Sequence, residues 1–560
     1  MSQREELPHP PDCFQTKEDA IRWVLDTNHC LHKEARTRKS DTTRIHFQCT
    51  QAGCEFSCNI NKHRDGLFRV AKWSWHTCGI IKNPTVKRTW VKQMAKKALE
   101  DDEEVKPMAI QNTLREDLGV KVKDPAVRKA VAEARKDKDE KDASFDKLPG
   151  LFQVLKEQNP GTVAEIETEE GRLKMAFLCP GPCARAWTHC TKLIALDGTF
   201  GTSMYNGVVL IASALDGAGQ IFPIAFAFAP SESTESWRFF VQHLADALNI
   251  RETPLTVISD RCKGIDAAVA EVLPRAAHSY CAFHMKQNVL KNQGLAAAKF
   301  VYRIADSCTE HEYVEAMTAL GNISPDARDY LADIGREQWV RAFFPLPRYG
   351  HLTSNIAEST NAALKKFKKY PPLKFFVKAI RKINTTFAER REHYANGNPM
   401  DIVDNIMQEI ATNIEAGRRM VARNVFGNVF DVQTELGSNS VRIVDLVART
   451  CSCKMFQDLG YPCAHACAAA LETQIDIMTL CIDERRIGAL RAVYEMGIIP
   501  VDVESVQSMV LLPPLVHRLP GRPKSKRIRS KAEDRYKRAN FCSQCGKRGH
   551  NIRTCPDKEN

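Results

Sequence analysis

The sequence lacks the features by which membrane-spanning and secreted proteins are usually identified. No run of about 18 apolar residues occurs in the 560-residue chain, so we expect no membrane span. The first residues, MSQREELPHPPD, contain no apolar stretch, and we expect no secretory signal. Without such a signal, the 20 cysteines are expected to be metal ligands and free thiols rather than disulfides. A hydrophobic content of 43% and a charged content of 26% indicate an ordinary globular protein.

Most of the chain also lacks a strong net charge. The formal net charge is +12, but residues 516–540 contain ten Lys or Arg and two acids and contribute +8 of it. A local basic tail indicates contact with a polyanion or a nuclear import signal, and a solvated linker is the alternative. The candidate DNA-binding residues of the tail are Arg522, Lys524, Lys526, Arg527 and Arg529.

Three carboxylates stand in three distinct local strings: Asp197 in KLIALDGTF, Asp260 in LTVISD and Glu358 in TSNIAESTN. From 193 to 260 the pattern predicts strand, strand, strand, helix and strand. Because side chains at neighbouring strand ends converge in α/β sheets, the first two acids are expected to lie side by side. Most of the interval before Glu358 reads as helix, and Glu358 itself is expected in the first turns of a further helix.

Such acids can hold two divalent cations, because Mg²⁺ prefers oxygen ligands. Two ions about 3.5–4 Å apart can activate an attacking oxygen and stabilise a leaving oxygen in phosphodiester chemistry. Cys281 and His284, in the string CAFH, either support this site or pack beside it, since two ligands cannot complete a zinc site. Arg261 and Lys263 follow Asp260 and are candidates to contact a DNA backbone.

Three groups of Cys and His have zinc-ligand spacing. The first contains Cys49, Cys54, His76 and Cys78, with Cys58 as a competing ligand or a buried thiol. The second contains Cys451, Cys453, Cys463 and His465. The third, with the spacing of a CCHC knuckle, contains Cys542, Cys545, His550 and Cys555. We therefore expect about three structural Zn²⁺ ions.

The strings LDGTFG, ISDRCKGI, HSYCAFH and TSNIAES together resemble the core of the Mutator-like element transposases. The first zinc group resembles the WRKY-type finger often found at the N-terminus of that family, although the WRKY peptide is absent. The second group resembles a SWIM zinc finger, and Gly521-Arg522-Pro523 resembles an AT-hook core. The resemblance implies a ribonuclease-H-like α/β core with an all-helical insertion, in which Asp197, Asp260 and Glu358 hold Mg²⁺ or Mn²⁺.

The expected architecture is therefore an α/β ribonuclease-H-like core flanked by small zinc modules. Its parts are a zinc-binding DNA-binding domain at 1–85, a charged helical connector at 86–149, a transposase domain at 150–395 with a helical insertion at about 285–345, a SWIM finger at 425–475, a helical segment at 476–515, a basic AT-hook-like tail at 516–540 and a CCHC knuckle at 541–556.

The leading functional hypothesis is a DDE-type DNA transposase that cuts element ends and joins them to target DNA. The alternative is a domesticated, non-catalytic DNA-binding regulator of transposase descent. An RNA-processing nuclease is disfavoured by the SWIM-like and N-terminal zinc groups. DNA is the expected partner, as terminal inverted repeats and target. A homo-oligomer is expected by analogy, because two ends must be handled, and KSKRIRSK predicts nuclear localisation.

Overall fold

The computed structural model describes most of the chain. The described residues are 10–31, 33, 35–79, 88–101, 105–116, 122–141, 145–200, 207–353, 367, 370–434 and 441–514. Glu358, the basic tail and the CCHC motif lie outside them. The chain divides into two compact units, Met1–Asp142 and Ala143–Asn560, which are described separately below.

The strands and helices alternate irregularly along the chain. The strands are β1 Ala35–Ser40, β2 Arg44–Cys49, β3 Ser57–Lys62, β4 Phe68–Ser74, β5 Val163–Glu169, β6 Arg172–Cys179, β7 Leu193–Phe200, β8 Val208–Leu215, β9 Ile221–Ala229, β10 Thr256–Ser259, β11 Ala277–Tyr280, β12 Val421–Phe426, β13 Val429–Gln433, β14 Val441–Asp445 and β15 Thr450–Cys451. The helices are α1 Lys17–Cys30, α2 Arg88–Asp101, α3 Pro107–Glu116, α4 Asp124–Lys141, α5 Lys147–Gln158, α6 Gly181–Thr188, α7 Thr234–Leu248, α8 Lys263–Val272, α9 Ala282–Gln293, α10 Leu295–Ala298, α11 Phe300–Ala305, α12 Glu310–Ile323, α13 Pro325–Ala332, α14 Pro372–His393, α15 Asp404–Gly417, α16 Met455–Leu459, α17 Ala464–Thr473 and α18 Ile487–Tyr494. Among the described residues, none of these helices is both long and apolar enough to cross a membrane.

The N-terminal unit begins with a four-stranded antiparallel sheet in the order β1-β2-β3-β4. Strand β2 alternates in burial, with Ile45, Phe47 and Cys49 inside, as its period-two pattern predicts. Helix α1 contributes Ala20 and Val24 to the same core. The result is a small domain whose apolar interior lies beside the first zinc group.

The region 86–149 differs from the expected exposed connector. Helices α2, α3 and α4 pack together, and their buried side chains form a core of their own around Val91, Leu99, Ile110 and Leu114. Alanines complete the core on α2 and α4. Small side chains of this kind give a weak apolar signal in a sequence dominated by Lys and Glu, which is why the pattern reads as solvated helix.

The C-terminal unit is built on a seven-stranded mixed sheet in the order β11-β10-β7-β8-β9-β6-β5. Strands β11, β10 and β7 are mutually parallel, and the remaining pairs are antiparallel. The β8–β9 hairpin closes at Gly217–Gly219, where Asp216 Oδ1 accepts the backbone N–H groups of Ala218 and Gln220 at 3.0 and 2.7 Å. Gly219 adopts φ +77°, which its missing Cβ permits. The order of elements from 193 to 260 agrees with the sequence pattern.

Helices cover this sheet and bury its strands. Helix α7 follows β9 directly; its N-cap Ser233 accepts the N–H of Ser236, and Trp237 is fully buried in the core, as expected. Helices α5, α6, α7 and α14 pack on strands of the sheet, and α8 packs on α7. Strands β8 and β10 are buried along their whole length, and β7 is buried from Leu193 to Leu196, so the partly exposed Asp197 stands out on β7.

Helices α9 to α13 form a separate layer with its own core, which includes Met285, Val289, Val301 and Trp339. This layer lies in sequence between β11 and the segment that precedes α14. It corresponds to the helical interval that the sequence pattern predicts before Glu358.

The SWIM-like region packs a second, four-stranded antiparallel sheet, β12-β13-β14-β15, against α15 and α17. Its core includes Phe430, Val432, Val444 and Ala466. After it, the expected helical segment 476–515 contains one α-helix, α18, and short 3₁₀ turns at 477–480 and 483–485; its remaining described residues are not helical. Pro500, Pro513 and Pro514, with β-branched residues between them, disfavour a longer helix.

Candidate active site and zinc centres

Asp197 and Asp260 lie level with each other on neighbouring parallel strands. Strands β7 and β10 pair Ala195 with Ile258, so the residues two positions further along, Asp197 and Asp260, come opposite each other. Asp197 is in the middle of β7, whereas Asp260 follows the last residue of β10. Two acids far apart in sequence are therefore brought together at one edge of the sheet.

This environment changes the ionisation of Asp197. Burial, followed by the charge of Asp260, raises the pKa of Asp197 to about 7, while the charge of His284 opposes that shift. Crowded carboxylates in a dry environment disfavour ionisation unless a cation neutralises them. The donor set consists of hard oxygen atoms, which is the chemistry that Mg²⁺ and Mn²⁺ prefer. The residues present therefore fit a divalent-cation site.

A further carboxylate, Glu232, lies beside this pair and was missed by sequence reasoning. A Cβ added to Gly198, the residue after Asp197, would lie 2.0 Å from Glu232 Oε1. Glu232 also contributes to the raised pKa of Asp197, after burial and Asp260. The string SESTESW predicts only a helix start, and no local signal distinguishes Glu232 from its neighbours. Because Gly198 has no side chain, it leaves space for the Glu232 carboxylate.

Cys281 and His284 flank the acids from the start of α9. The Cys281 N–H donates to Ser259 O at 2.9 Å, which attaches the beginning of α9 to the end of β10. Cys281 itself is buried, and His284 is close enough for its charge to lower the pKa of Asp197. Within the described part of the chain, neither residue belongs to a group of three or more metal-ligand side chains.

Arg261, expected to support the site or to contact DNA, is held by aromatic side chains. Its guanidinium lies 6.0 Å from the Tyr280 ring centre and 5.7 Å from that of Tyr330, and Nη1 donates to the Tyr330 hydroxyl at 3.2 Å. Asn288 Nδ2 donates to the same hydroxyl at 3.2 Å. Arg261 therefore links the end of β10 to the helical layer.

The third predicted acid, Glu358, lies outside the described residues. The preceding segment is described as far as residue 353 and contacts the site through Leu352. The carbonyl oxygen of Leu352 accepts the Ala282 N–H at 2.9 Å. Leu352 thus contacts the first turn of α9, the turn that carries His284.

The first zinc group is assembled in the N-terminal unit. Ligand atoms of Cys49, Cys54, His76 and Cys78 all lie within 4.8 Å of one another. The sulfurs of Cys49 and Cys78 are 3.6 Å apart, and His76 Nδ1 lies 3.4 Å from the sulfur of Cys54. Burial, followed by the charge of Lys33, lowers the pKa of His76 to about 4, so the imidazole is neutral and able to ligate near pH 7.

A second set of contacts orients His76. Its Nε2 donates to Asn28 Oδ1, and Asn28 Nδ2 donates to Val24 O at 2.7 Å on the same helix. The Phe56 ring stacks on the imidazole at 4.0 Å. These contacts select Nδ1 as the ligand atom. Cys58, the competing candidate, is outside the group: it is fully buried, and burial raises its pKa to about 12.

The second zinc group lies in the SWIM-like region. Ligand atoms of Cys451, Cys453, Cys463 and His465 lie within 4.8 Å of one another. The sulfurs of Cys453 and Cys463 are 3.6 Å apart, and the Cys463 sulfur is 3.9 Å from His465 Nδ1. The spacing and the donor set fit tetrahedral zinc. The third group, Cys542 to Cys555, lies outside the described residues, as do Arg522 to Arg529 of the basic tail.

Strand β1 presents a basic surface that sequence reasoning also missed. Arg36, Arg38 and Lys39 are exposed along the edge of the N-terminal sheet. Burial, followed by the charges of Arg38, Lys39 and Lys72, lowers the pKa of His46, so these three cations lie near that imidazole. Such a surface can contact phosphate groups without reading sequence.

Comparison with known families agrees with this arrangement. The family model of the MULE transposase domain matches residues 193–288, and that of the SWIM zinc finger matches residues 430–474. The first match includes Asp197, Asp260 and the CAFH string, and the second includes all four ligands of the second zinc group. The chain therefore carries a transposase domain of the MULE class and a SWIM zinc finger. Two separate stretches of the chain thus match domains of this class, and the two Cys/His groups have the ligand sets of zinc-binding sites.

Individual relatives match shorter stretches. The Protein FAR1-RELATED SEQUENCE 6 of Arabidopsis thaliana is 19% identical over 126 residues, which are 22% of this chain and 18% of that protein. The PKS-NRPS hybrid synthetase cheA of Chaetomium globosum is 26% identical over 151 residues, 26% of this chain but 3% of that protein. The chain thus spans a small fraction of the length of these relatives. The match to a crystal structure of AFT2 in complex with DNA extends over 22% of this chain and 89% of that chain. The sequence identity is 13% and the TM-score is 0.13.

Proposed function

We propose that this chain is a DDE-type DNA transposase that cleaves DNA at element ends and transfers the cut strand to target DNA. The observation that carries the proposal is the position of Asp197 and Asp260, level on adjacent parallel strands inside the region that matches the MULE domain. Asp197 and Asp260 are far apart in sequence, and the pairing of β7 with β10 brings them together. Their convergence, with a raised pKa at Asp197, is typical of a cation-dependent site.

The topology supports a ribonuclease-H-like core. In that interpretation β7, β8 and β9 are its first three strands, which run antiparallel, and β10 and β11 follow parallel to β7 on its other side. Helix α7 follows the third strand and α8 the fourth. Helices α9 to α13 then take the part of the helical insertion expected at about 285–345.

We assign the cation ligands to Asp197, Asp260 and Glu358, with Glu232 as an additional carboxylate at the site. When bound there, two Mg²⁺ or Mn²⁺ ions would stabilise the negative charge that develops in phosphodiester transfer. Asp197, Asp260 and Glu358 would hold the ions through their carboxylate oxygens. Asp260 and Glu232 approach from the end of β10 and from the start of α7, and the charge of His284 lowers the pKa of Asp197. Glu358 is assigned as a ligand because of the string TSNIAESTN in which it occurs.

DNA is the proposed partner, and several positively charged surfaces suit it. The exposed cations of β1 and the tail residues 522–529 would contact phosphates, and the N-terminal zinc domain would hold β1 in place. The CCHC motif would bind a third zinc ion. We propose nuclear localisation from KSKRIRSK and a homo-oligomer that holds two element ends.

Cleavage of the gene's own flanking DNA by purified protein tests the proposal. We expect nicking at the element boundary that depends on Mg²⁺ or Mn²⁺. Asp260→Ala is expected to abolish nicking and to leave DNA affinity nearly unchanged, because contacts between cations and phosphates supply most of that affinity. Exposed Asp246→Ala, which removes an acid at the far end of α7, is the matched control and should cleave normally.

Two outcomes would contradict the proposal. Specific DNA binding without cleavage under any divalent cation would favour the non-catalytic regulator. Loss of both binding and folding in Asp260→Ala, with normal folding of the control, would assign Asp260 a structural role.

A further inference from the structure

The SWIM zinc finger contacts the polypeptide that borders the candidate active site. We call residues 454–462, between the ligands Cys453 and Cys463, the zinc loop. We call residues 345–353, which follow the helical layer, the strap. Both belong to the C-terminal unit and are fully described. Their contacts connect the SWIM finger to the segment that follows the helical layer.

The strap accepts three hydrogen bonds, from the start of β10, from the residue before β7 and from the start of α9. Thr256 Oγ1, at the start of β10, donates to Pro347 O at 2.6 Å. The Lys192 N–H, immediately before β7, donates to the Tyr349 hydroxyl at 3.2 Å. At the start of α9, the Ala282 N–H donates to Leu352 O at 2.9 Å. The strap therefore touches the elements of Asp260, Asp197 and His284 in turn.

The zinc loop fixes the strap through a buried carboxylate. Asp458 Oδ1 accepts the Arg348 N–H at 2.6 Å, and Asp458 Oδ2 lies 3.2 Å from Arg341 Nη1. The side chains of Asp458 and Arg341 are only 8% and 5% exposed. Arg348 is buried as well, and its Nη1 donates to Trp339 O at 2.8 Å. Buried charges need such partners, so removal of Asp458 leaves Arg341 with Asp306 alone, 2.7 Å from its Nη2, and takes the acceptor from the Arg348 N–H.

Contacts beside Asp458 hold the strap in an unusual backbone conformation. Tyr349 and Gly350 have φ of +52° and +85°, in the left-handed region that a tyrosine rarely adopts. A Cβ on Gly350 would lie 3.1 Å from the side chain of Leu459. Arg485 places its guanidinium between the Tyr349 and Tyr461 rings, 5.9 and 5.7 Å from their centres. The conformation of the strap thus depends on the zinc loop.

We propose that Asp458 is a positioning residue for the cation site, and that the zinc-bound SWIM loop sets the relative position of β7, β10 and α9 through the strap. The inference rests on the proposed function of those elements. Its consequence is that the SWIM zinc ion supports catalysis from within the same unit. Carboxylates that share cations must be held within a fraction of an ångström, so a small shift of the strap is expected to be costly.

The test compares Asp458→Ala and Asp458→Asn with Asp483→Asn in the full chain. Asp483 is an exposed acid of the same region, with 95% of its side chain accessible. We expect Asp458→Ala to retain zinc and DNA affinity but to cleave about 10- to 100-fold more slowly at saturating DNA. Asp458→Asn keeps an acceptor for the Arg348 N–H and should recover part of the rate. Asp483→Asn should match the unsubstituted protein.

Amide hydrogen exchange gives a readout that does not require activity. Exchange at 256–260 and 281–285 should rise in Asp458→Ala and in Cys463→Ser, which removes a zinc ligand, but not in Asp483→Asn. Unchanged exchange in zinc-containing Asp458→Ala, or cleavage at the normal rate, would overturn the inference. If the unsubstituted protein does not cleave, the proposed function fails, and hydrogen exchange alone decides whether the zinc loop positions these elements. If Asp458→Ala does not fold, Asp458→Asn carries the same comparison.

Discussion

At the scale of single residues, the candidate site shows how strand register changes the chemistry of an acid. Asp197 has an ordinary sequence neighbourhood, yet burial and the approach of Asp260 raise its pKa to about 7. An unfolded chain would ionise the same group near 3.8. The folded, cation-free protein therefore binds a proton that the unfolded chain releases between these two pH values.

Asp197→Asn should consequently stabilise the cation-free protein at high pH. The contribution of Asp197 to stability is fully present below about pH 4 and is lost as pH rises through about 7, so the gain from Asn should be largest above pH 7 and vanish near pH 4. Because one pKa unit corresponds to about 1.4 kcal/mol, we expect a gain of about 1–3 kcal/mol at pH 8. Denaturant unfolding at several pH values, without added Mg²⁺, measures it. A destabilised variant at pH 8 would contradict the assigned environment.

Glu232→Gln should weaken cation binding with little change in folding. The side chain keeps its shape while the charge beside Gly198 is removed, so the Mn²⁺ concentration for half-maximal cleavage should rise about 10-fold. Glu235→Gln is the matched control, because Glu235 lies three residues away and forms an exposed ion pair with Lys174. Equal Mn²⁺ dependence of the two variants would remove Glu232 from the site.

The sequence allows the prediction of some of these residues but not of others. Asp197 and Asp260 each follow an apolar run, but Asp216 does so as well, and only the surrounding strings LDGTFG and ISDRCKGI select the two acids. Glu232 has no such pattern; it reaches the site because α7 begins where β9 ends and because Gly198 leaves space. Arg261, a candidate for active-site support or for DNA contact, is held by aromatic rings of β11 and α13, which no sequence pattern predicts. Contacts between elements distant in sequence determine both cases.

At the scale of elements, strand β1 provides a basic edge to the N-terminal sheet. Replacing Arg36, Arg38 and Lys39 with Gln should weaken DNA binding and reduce the slope of log K against log salt by about 0.9 for each phosphate that the protein no longer neutralises. Arg128→Gln, on α4 and paired with Asp124, is a control of equal charge change per residue. Titrations at several salt concentrations measure the slope. An unchanged slope would place the DNA elsewhere.

The N-terminal zinc centre makes a prediction about its ligand set. Cys78→Ser should lose one zinc ion per chain and unfold the sheet, because the metal closes the loop between β2 and β4. Cys58→Ala should retain the zinc and weaken only core packing, by about 1 kcal/mol or more in the free energy of unfolding. Metal analysis of both proteins distinguishes them. Loss of zinc from Cys58→Ala would refute the assignment.

Among the elements, those with strong periodicity or metal spacing could be predicted, and those stabilised by packing alone could not. The run of strands from β7 to β10 follows from apolar runs bounded by turns, and both described zinc groups follow from spacing. The helices α2 to α4 pack through a few aliphatic side chains and alanines, which a composition rich in Lys and Glu conceals. The segment 476–514 was expected to be helical, but apart from α18 and two 3₁₀ turns its described residues are irregular, because prolines interrupt it.

At the scale of the whole molecule, the C-terminal unit joins the transposase domain and the SWIM finger through buried charge. Asp458, Arg341 and Arg485 connect the zinc loop to the helical layer and to the β8–β9 hairpin, where Arg485 Nη1 donates to Gly217 O at 2.7 Å. These polar contacts join residues far apart in sequence and have no periodicity, so no sequence pattern predicts them. They explain why two separately matched family domains belong to one compact unit.

The most direct test of the central claim is the detection of strand-transfer products. Purified protein is mixed with labelled element-end DNA and an unlabelled target, with and without Mn²⁺, and joined molecules are sequenced. We predict that labelled ends become joined to the target through their 3′ strand only when the cation is present, and that Asp197→Ala and Glu358→Ala abolish joining. Specific binding of the element ends with no cleaved or joined product under any cation would contradict a catalytic role.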